Sequence, residues 1–175
     1  MSVARETCWE NQTFVPRSLI IEREIDMSGP QELTSTQIRD YHEQGYILLG
    51  RILSEDQLEE IRREELRLRS HRDLKGARAS RRFNIFINRS CHYSEPIRRL
   101  CTLGSHLQVV QQILGPNVCF WHDQFVIKLP DNGTQNSVFP WHQDNAYTSF
   151  DPPTNITVWT ALDDVTPENG CVWVI

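Results

Sequence analysis

The chain has 175 residues, a formal net charge of −5, and 39% hydrophobic residues. This length and composition suffice for one domain with an ordinary core, which excludes an intrinsically disordered chain. Mean hydropathy is −0.47, and no apolar run reaches the roughly 18 residues that cross a bilayer. We therefore expect no membrane span.

The chain shows no sign of a secretory route. Arg5, Glu6, Glu10 and Arg17 interrupt the first twenty residues, so these lack the apolar segment of a signal peptide. The five cysteines are an odd number without C-x-x-C spacing, which indicates reduced, mostly buried thiols rather than a disulfide framework or a zinc ribbon. We predict a cytoplasmic protein.

The N-terminal third is predicted to be an irregular arm followed by helices. Residues 1–32 show no sustained helical or strand periodicity. They are expected to precede the folded unit, which spans residues 33–175. Thr34 and Gln37 have capping-box spacing, and Gly45 is a natural helix stop. Tyr46 to Leu49 is predicted to be a short buried strand. Ser54 and Gln57 repeat the capping pattern and open a second helix.

A basic stretch covers residues 62–99, with twelve of the eighteen Lys and Arg against four acids. Such a stretch can contact nucleic acid or an anionic substrate. No aromatic interleaving and no known nucleic-acid motif accompanies it, so a solvated helical face is the preferred interpretation. We expect no nucleic acid and no membrane among the partners.

The remainder is predicted to be one more helix and then strands. A strand is expected near Phe83 to Ile87, and a helix that Ser105 caps is expected to end at Gly115. From Asn117 the residue pattern changes from a helical period to a period of two, which is typical of a strand. This alternation places His122, Gln124, Val126 and Lys128 on one strand face. Further strands are predicted at 138–144, 155–162 and 171–175. Helices first and strands second indicate an α+β fold.

The motif His142-Gln143-Asp144 carries the candidate chemistry. On a strand, residues i and i+2 project from the same face, so an imidazole and a carboxylate can converge on one metal. A buried His–Asp hydrogen bond without metal is the alternative, and the spacing alone does not separate the two. The similar motif His71-Arg72-Asp73 lies in a charged run and is interpreted as a solvated helix end.

Three segments of the chain resemble the phytanoyl-CoA dioxygenase family: WHDQFVIKLP, PWHQDNAY and ITVWTALDDVTPENGCVWVI. Residues 33–53, LTSTQIRDYHEQGYILLGRIL, are similar to the family's usual opening. The resemblance implies N-terminal helices packed on a partial double-stranded β-helix of jelly-roll or cupin type. It also implies an Fe(II) and 2-oxoglutarate dependent oxygenase that uses dioxygen to hydroxylate a small-molecule substrate.

The resemblance also assigns site residues. His142 and Asp144 correspond to two of the family's three iron ligands, and the presence of Asp144 favours hydroxylation over halogenation. Gln124 corresponds to a position that approaches 2-oxoglutarate, and Trp159 to an aromatic of the pocket wall. Lys128 lies on the side of Gln124 and is a candidate source of positive charge. Core packing for Trp159 and a structural role for Lys128 remain alternatives.

The family's distal His, and the Arg that pairs with 2-oxoglutarate, would follow Ile175. We therefore expect that the sequence is a C-terminally incomplete copy that lacks the last strands. Two other interpretations stay open. One is a catalytically incompetent short form that acts as a binding module, and the other is a metal-binding β-barrel of different chemistry.

Overall fold

A computed structural model describes residues 32–71, 78–81, 84–130, 139–147 and 154–175. The predicted N-terminal arm lies outside these residues, except for its last position. In the described part of the chain, no helix is long and apolar enough to cross a membrane.

Two helices begin at the capping boxes that the sequence predicted. Helix α1 spans Ser35–Gln44 and helix α2 spans Glu55–Ser70. In α1, the hydroxyl of Thr34 accepts the backbone N–H of Gln37, whose side chain accepts the N–H of Thr34 in return. Gly45 ends α1 with φ of 80°, a left-handed conformation that glycine adopts without steric cost. Both helix starts are therefore confirmed.

The predicted third helix is confirmed, and an unpredicted helix precedes it. Helix α3 spans Glu95–Leu103 and helix α4 spans His106–Leu114. Helix α4 ends at Gly115 as predicted, whereas α3 was not predicted, although Ser94 caps it and Pro96 stands in its first turn, both common start signals. The predicted cap at Ser105 was wrong. The backbone of Ser105 is helical, whereas a capping side chain needs an extended backbone at the N-cap. The Ser105 side chain therefore makes no capping bond.

Three antiparallel strands form one small sheet in the order β1-β2-β3. They are β1 Arg78–Arg81, β2 Asn84–Asn88 and β3 Gln124–Lys128. Ile85 pairs with Ile127, and Ile87 with Phe125. Because strand residues alternate between faces, these four apolar side chains share one face of the sheet.

That apolar face packs on helix α2 to make the core. Leu68 and Ile61 from α2 join Ile85 and Ile87 from β2. Helix α3 adds Ile97, and Phe125 and Ile127 pack against the cluster. Burial of these side chains removes their surface from water, which is the main favourable term in the folding of this part of the chain.

The segment 154–175 is connected to this core by polar contacts. The guanidinium of Arg62 on α2 donates to the carbonyl of Leu162 at 2.7 Å and lies 3.4 Å from the carboxylate of Asp163. On β3, the ammonium of Lys128 donates to the carbonyl of Gly170. Helix α2 and strand β3 therefore each hold one end of the segment.

Several predicted strands are absent from the described residues. Tyr46 to Leu49 has no regular structure, and Leu48 is exposed. Residues 155–162 form no ladder, although exposure alternates with period two from Thr157 to Leu162, and residues 171–175 form only an isolated β-bridge at Val174. Alternation specifies the faces of an extended segment, but a strand also needs a neighbour to complete its hydrogen bonds. The mixed helix and sheet class is thus confirmed, with a small open sheet.

The cysteines are free as predicted where the structure describes them, but among these four only Cys91 is buried. Burial raises the pKa of the Cys91 thiol to about 11 and that of Cys101 to about 12. Both thiols are therefore protonated at neutral pH, and neither is a reactive nucleophile.

Two leucines of α2 test the position of the core. Leu68 is 1% exposed and Leu66 is 53% exposed. We expect Leu68→Ala to lower the free energy of unfolding by about 2–5 kcal/mol, because it leaves a cavity. Leu66→Ala should lower it by less than about 0.5 kcal/mol. Urea unfolding measures both, and equal losses would contradict this core.

Glu65 gives a pH-dependent test. Burial raises the pKa of its carboxyl, the Arg69 guanidinium 3.2 Å away opposes this, and Asp163 adds to the rise. An acid whose pKa is higher in the folded chain destabilises the fold when ionised. We therefore expect Glu65→Gln to stabilise the protein at pH 7, with the gain disappearing below about pH 4.

Chemical denaturation across this pH range measures the effect of Glu65→Gln. The exposed Glu59 of the same helix provides the control, because Glu59→Gln removes a charge without relieving burial. A loss of stability in Glu65→Gln at pH 7 would show that the ion pair with Arg69 outweighs the cost of burial.

Candidate functional site

His142 and Asp144 lie at the start of a 3-10 turn, Asp144–Tyr147, and not on a strand. The strand predicted over 138–144 was therefore wrong for residues 139–144, and Val138 lies outside the described residues. The backbone N–H of Ala146 bonds the carbonyl of Gln143, and such a turn cannot pair in a sheet. The two side chains still converge, with His142 Nε2 3.5 Å from Asp144 Oδ1.

The backbone orients the imidazole of His142. Its Nδ1 lies 2.8 Å from the carbonyl oxygen of Pro140. Since a carbonyl only accepts hydrogen bonds, Nδ1 carries the proton in this contact. In the neutral ring, Nε2 then presents its lone pair on the side of Asp144, which is the tautomer that binds a metal through Nε2.

A hydroxyl orients the carboxylate of Asp144. Thr157 Oγ1 donates to Asp144 Oδ2 at 2.6 Å, while Oδ1 faces His142. One oxygen is thus held by the segment 154–175, and the other is directed at the imidazole. Thr157 is not among the site residues that the sequence predicted. No sequence signal connects it to Asp144, since thirteen residues separate them.

The pair has the donors and the spacing of two metal ligands. Atoms that each lie about 2.1 Å from one ion, at an angle of about 90–110°, are about 3.0–3.4 Å apart. The separation of 3.5 Å is within about 0.1 Å of this range and longer than a usual direct N–H···O bond. Across the described ranges, no third His, Cys, Asp or Glu completes a metal cluster.

Aromatic contacts connect this pair to the sheet. The ring of Phe139 lies 6.0 Å from that of His142 and packs edge-on against Phe86 of β2 at 5.5 Å. Phe86 alternates with the core residues of β2, so it projects from the opposite face of the sheet. The pair of His142 and Asp144 therefore lies over the sheet face that turns away from the core.

Gln124 projects from that same face. It stands opposite Asn88 in the register, and its side-chain amide donates to Asn88 Oδ1 at 2.5 Å. The predicted face assignment holds for Gln124 and Val126, which are exposed, whereas Phe125 packs on the core. No signal in the sequence predicted Asn88 as the partner of Gln124.

Lys128 contacts the turn before Cys171. Burial lowers the pKa of its ammonium group, which donates to the carbonyl of Gly170. Gly170 has φ of 94°, and a Cβ there would come within 2.9 Å of the Lys128 side chain. The contact makes Lys128 an anchor of this turn. Its cosubstrate role stays a prediction.

Trp159 shares the alternating face of Thr157 and is 53% exposed. It is therefore not a core residue in the described structure, and its predicted place in a pocket wall stays open. The neighbouring acids have local partners: Asp163 faces Arg62, and the carbonyl of Asp164 accepts a hydrogen bond from the side chain of Asn169. Thr166 and Asn169 cap this turn through reciprocal side-chain bonds.

Comparison with known proteins identifies the family that this chain matches. Residues 41–175 match the family described as phytanoyl-CoA dioxygenase (PhyH). "Phytanoyl-CoA dioxygenase, peroxisomal" of Bos taurus is 28% identical over 93% of this chain and 51% of its own length. The protein of that name from Homo sapiens is 38% identical over 44% of this chain and 23% of its own.

A further relative is the "Probable phytanoyl-CoA dioxygenase" of Caenorhabditis elegans, 35% identical over 43% of this chain and 25% of its own length. The chain spans about half the length of the mammalian relatives that it matches over most of its residues. No solved structure matches it significantly. Because the family match covers more than three quarters of the sequence, the chain belongs to the phytanoyl-CoA dioxygenase (PhyH) family.

Proposed function

We propose that the protein is a non-haem Fe(II) and 2-oxoglutarate dependent dioxygenase that hydroxylates a small-molecule substrate. The observation that carries this proposal is the convergence of His142 Nε2 and Asp144 Oδ1 at 3.5 Å. Family membership and relatives named as dioxygenases support the reaction class. A double-stranded β-helix, completed by residues beyond the described sheet, is the proposed framework. The cytoplasmic location stays a prediction.

The pair would hold the ferrous ion through one nitrogen and one oxygen. A site with two His and one carboxylate leaves three positions for other ligands, enough for a chelating 2-oxo acid and dioxygen. Bound iron would activate dioxygen, which is the oxidant, while 2-oxoglutarate would supply two of the four electrons by its oxidative decarboxylation and the substrate would supply the other two. The chain supplies orientation, because the Pro140 carbonyl fixes the His142 ring and Thr157 fixes the Asp144 carboxylate.

Gln124 is the proposed contact for the cosubstrate. Its amide lies on the sheet face that Phe139 covers, and Asn88 holds its side-chain orientation through their hydrogen bond. An amide carries both donors and an acceptor, so it can bind the 2-oxo acid without adding charge. Trp159 is proposed as an apolar wall on the side of Thr157, where an exposed indole can exclude water.

Removal of His142 tests the proposal. In the full-length protein, we expect His142→Ala to reduce 2-oxoglutarate turnover by more than about 100-fold, because loss of a ligand exceeds the 10–100-fold cost of a disturbed supporting residue. Carbon dioxide released from labelled 2-oxoglutarate measures it. His71→Ala is the matched control, since it changes the same His-x-Asp pattern on a helix end. Unchanged turnover in His142→Ala would refute the assignment.

Thr157 tests the orientation of the carboxylate. We expect Thr157→Val to weaken Fe(II) binding about 10–100-fold, because Asp144 then loses the hydroxyl that holds Oδ2. Thr157→Ser should keep most of the affinity, since it retains the hydroxyl. Anaerobic titration with Fe(II) measures the affinity, and Thr102→Val on α3 controls for loss of a threonine hydroxyl. Equal affinities of Thr157→Val and the unmodified protein would contradict this role.

A further inference from the structure

A cavity lies at the start of strand β3. Its volume is about 240 Å³, and the segments 89–92 and 120–123 line it. Neither His142 nor Asp144 is among the lining residues. The cavity is therefore separate from the proposed metal site. Strand β3 begins at Gln124, the residue that directly follows the lining segment 120–123.

The cavity has an excess of basic side chains. Arg89, His92 and His122 line it, and Asp123 is the only acid among its lining residues. The carboxylate of Asp123 accepts the backbone N–H of Ser90 at 2.7 Å and that of Cys91 at 3.3 Å. These bonds engage both carboxylate oxygens of Asp123 with the backbone of residues 90 and 91, and among the described residues Asp123 forms no ion pair with a basic side chain.

Arg89 differs from most of the arginines whose side chains the structure describes. Seven of them have a carboxylate within 4 Å: Arg39, Arg51, Arg62, Arg67, Arg69, Arg98 and Arg99. Five of these seven belong to the basic stretch 62–99, so carboxylates neutralise much of that stretch. Within the described structure, no acidic side chain pairs with Arg89.

The backbone of Arg89 gives a second, independent observation. Its φ is 57°, and it is the one non-glycine residue with positive φ in the described ranges. A left-handed conformation costs a residue with a Cβ about 1–2 kcal/mol, whereas glycine adopts it freely. A strained residue of this kind indicates a functional use for its side chain. Here the strained residue is an arginine that lines the cavity.

The remaining part of the lining is aromatic. Phe120 is 43% exposed and Trp121 is 67% exposed, and both contribute to the cavity. Exposed aromatic rings beside an arginine offer a stacking surface together with a bidentate partner for an anion. This combination fits a ligand that has a flat ring and one acidic group.

We propose that this cavity binds a small ligand in which a planar ring carries a phosphate or a carboxylate. Arg89 pairs with the anionic group, His92 and His122 donate hydrogen bonds to it, and Trp121 and Phe120 contact the ring. The site does not depend on the proposed oxygenase chemistry, because it uses no residue of the metal pair.

Binding of fluorinated probes tests the proposal. We expect 4-fluorophenyl phosphate or 4-fluorobenzoate to bind saturably to the full-length protein, as measured by ¹⁹F line broadening. Neutral 4-fluorophenol should bind at least about tenfold more weakly. Preference for the first probe identifies a phosphate ligand, and preference for the second identifies a carboxylate. Absence of saturable binding by both anionic probes would overturn the proposal.

Two variants of Arg89 separate binding from folding. Arg89→Gly removes the guanidinium and relaxes the backbone, so it should keep or raise the unfolding temperature while it weakens binding about tenfold or more. Arg89→Asn should do the same, since asparagine tolerates positive φ. Arg39→Asn on α1 and His142→Ala should leave probe binding unchanged. Unaltered binding in folded Arg89→Gly would refute the role of Arg89.

Discussion

The pairing of β2 with β3 is the constraint on which the rest of the described structure depends. Its register places Ile85, Ile87, Phe125 and Ile127 on one face, where they pack against α2 and α3. Because strand residues alternate, the same register places Phe86, Asn88 and Gln124 on the other face. A slip of one residue would exchange the two faces. It would bury the amides and expose the core.

The candidate metal site combines this sheet with two segments that have no regular structure. Phe139 packs on Phe86 and brings the turn with His142 over the sheet. Thr157 then reaches Asp144 from the segment that Arg62 and Lys128 hold against the core. Each ligand side chain therefore has its own support, a carbonyl for the imidazole and a hydroxyl for the carboxylate. Such support orients ligands before a metal arrives.

Most of the positive charge on the helices is paired with nearby carboxylates. Most described arginines on the helices face a carboxylate three or four residues away, or one on a neighbouring element. Exposed pairs of this kind contribute little to stability, but they remove the positive potential that the composition of residues 62–99 suggests. Arg89 forms no ion pair with an acid of the described residues, although Asp123 lines the same cavity. The distribution of ion pairs, rather than the net charge of the chain, is therefore the basis on which we propose an anion site there.

The sequence by itself determined the local features. It predicted the starts of α1 and α2, the stop at Gly45, the face of β3 that carries Gln124, and the family, because capping, turn chemistry and alternation are properties of neighbouring residues. Only the tertiary structure decided that residues 155–162 form no ladder, that His142 and Asp144 meet on a 3-10 turn, and that Thr157 and Asn88 support the site. These outcomes depend on contacts between residues that are distant along the chain, and local propensity carries no information about them.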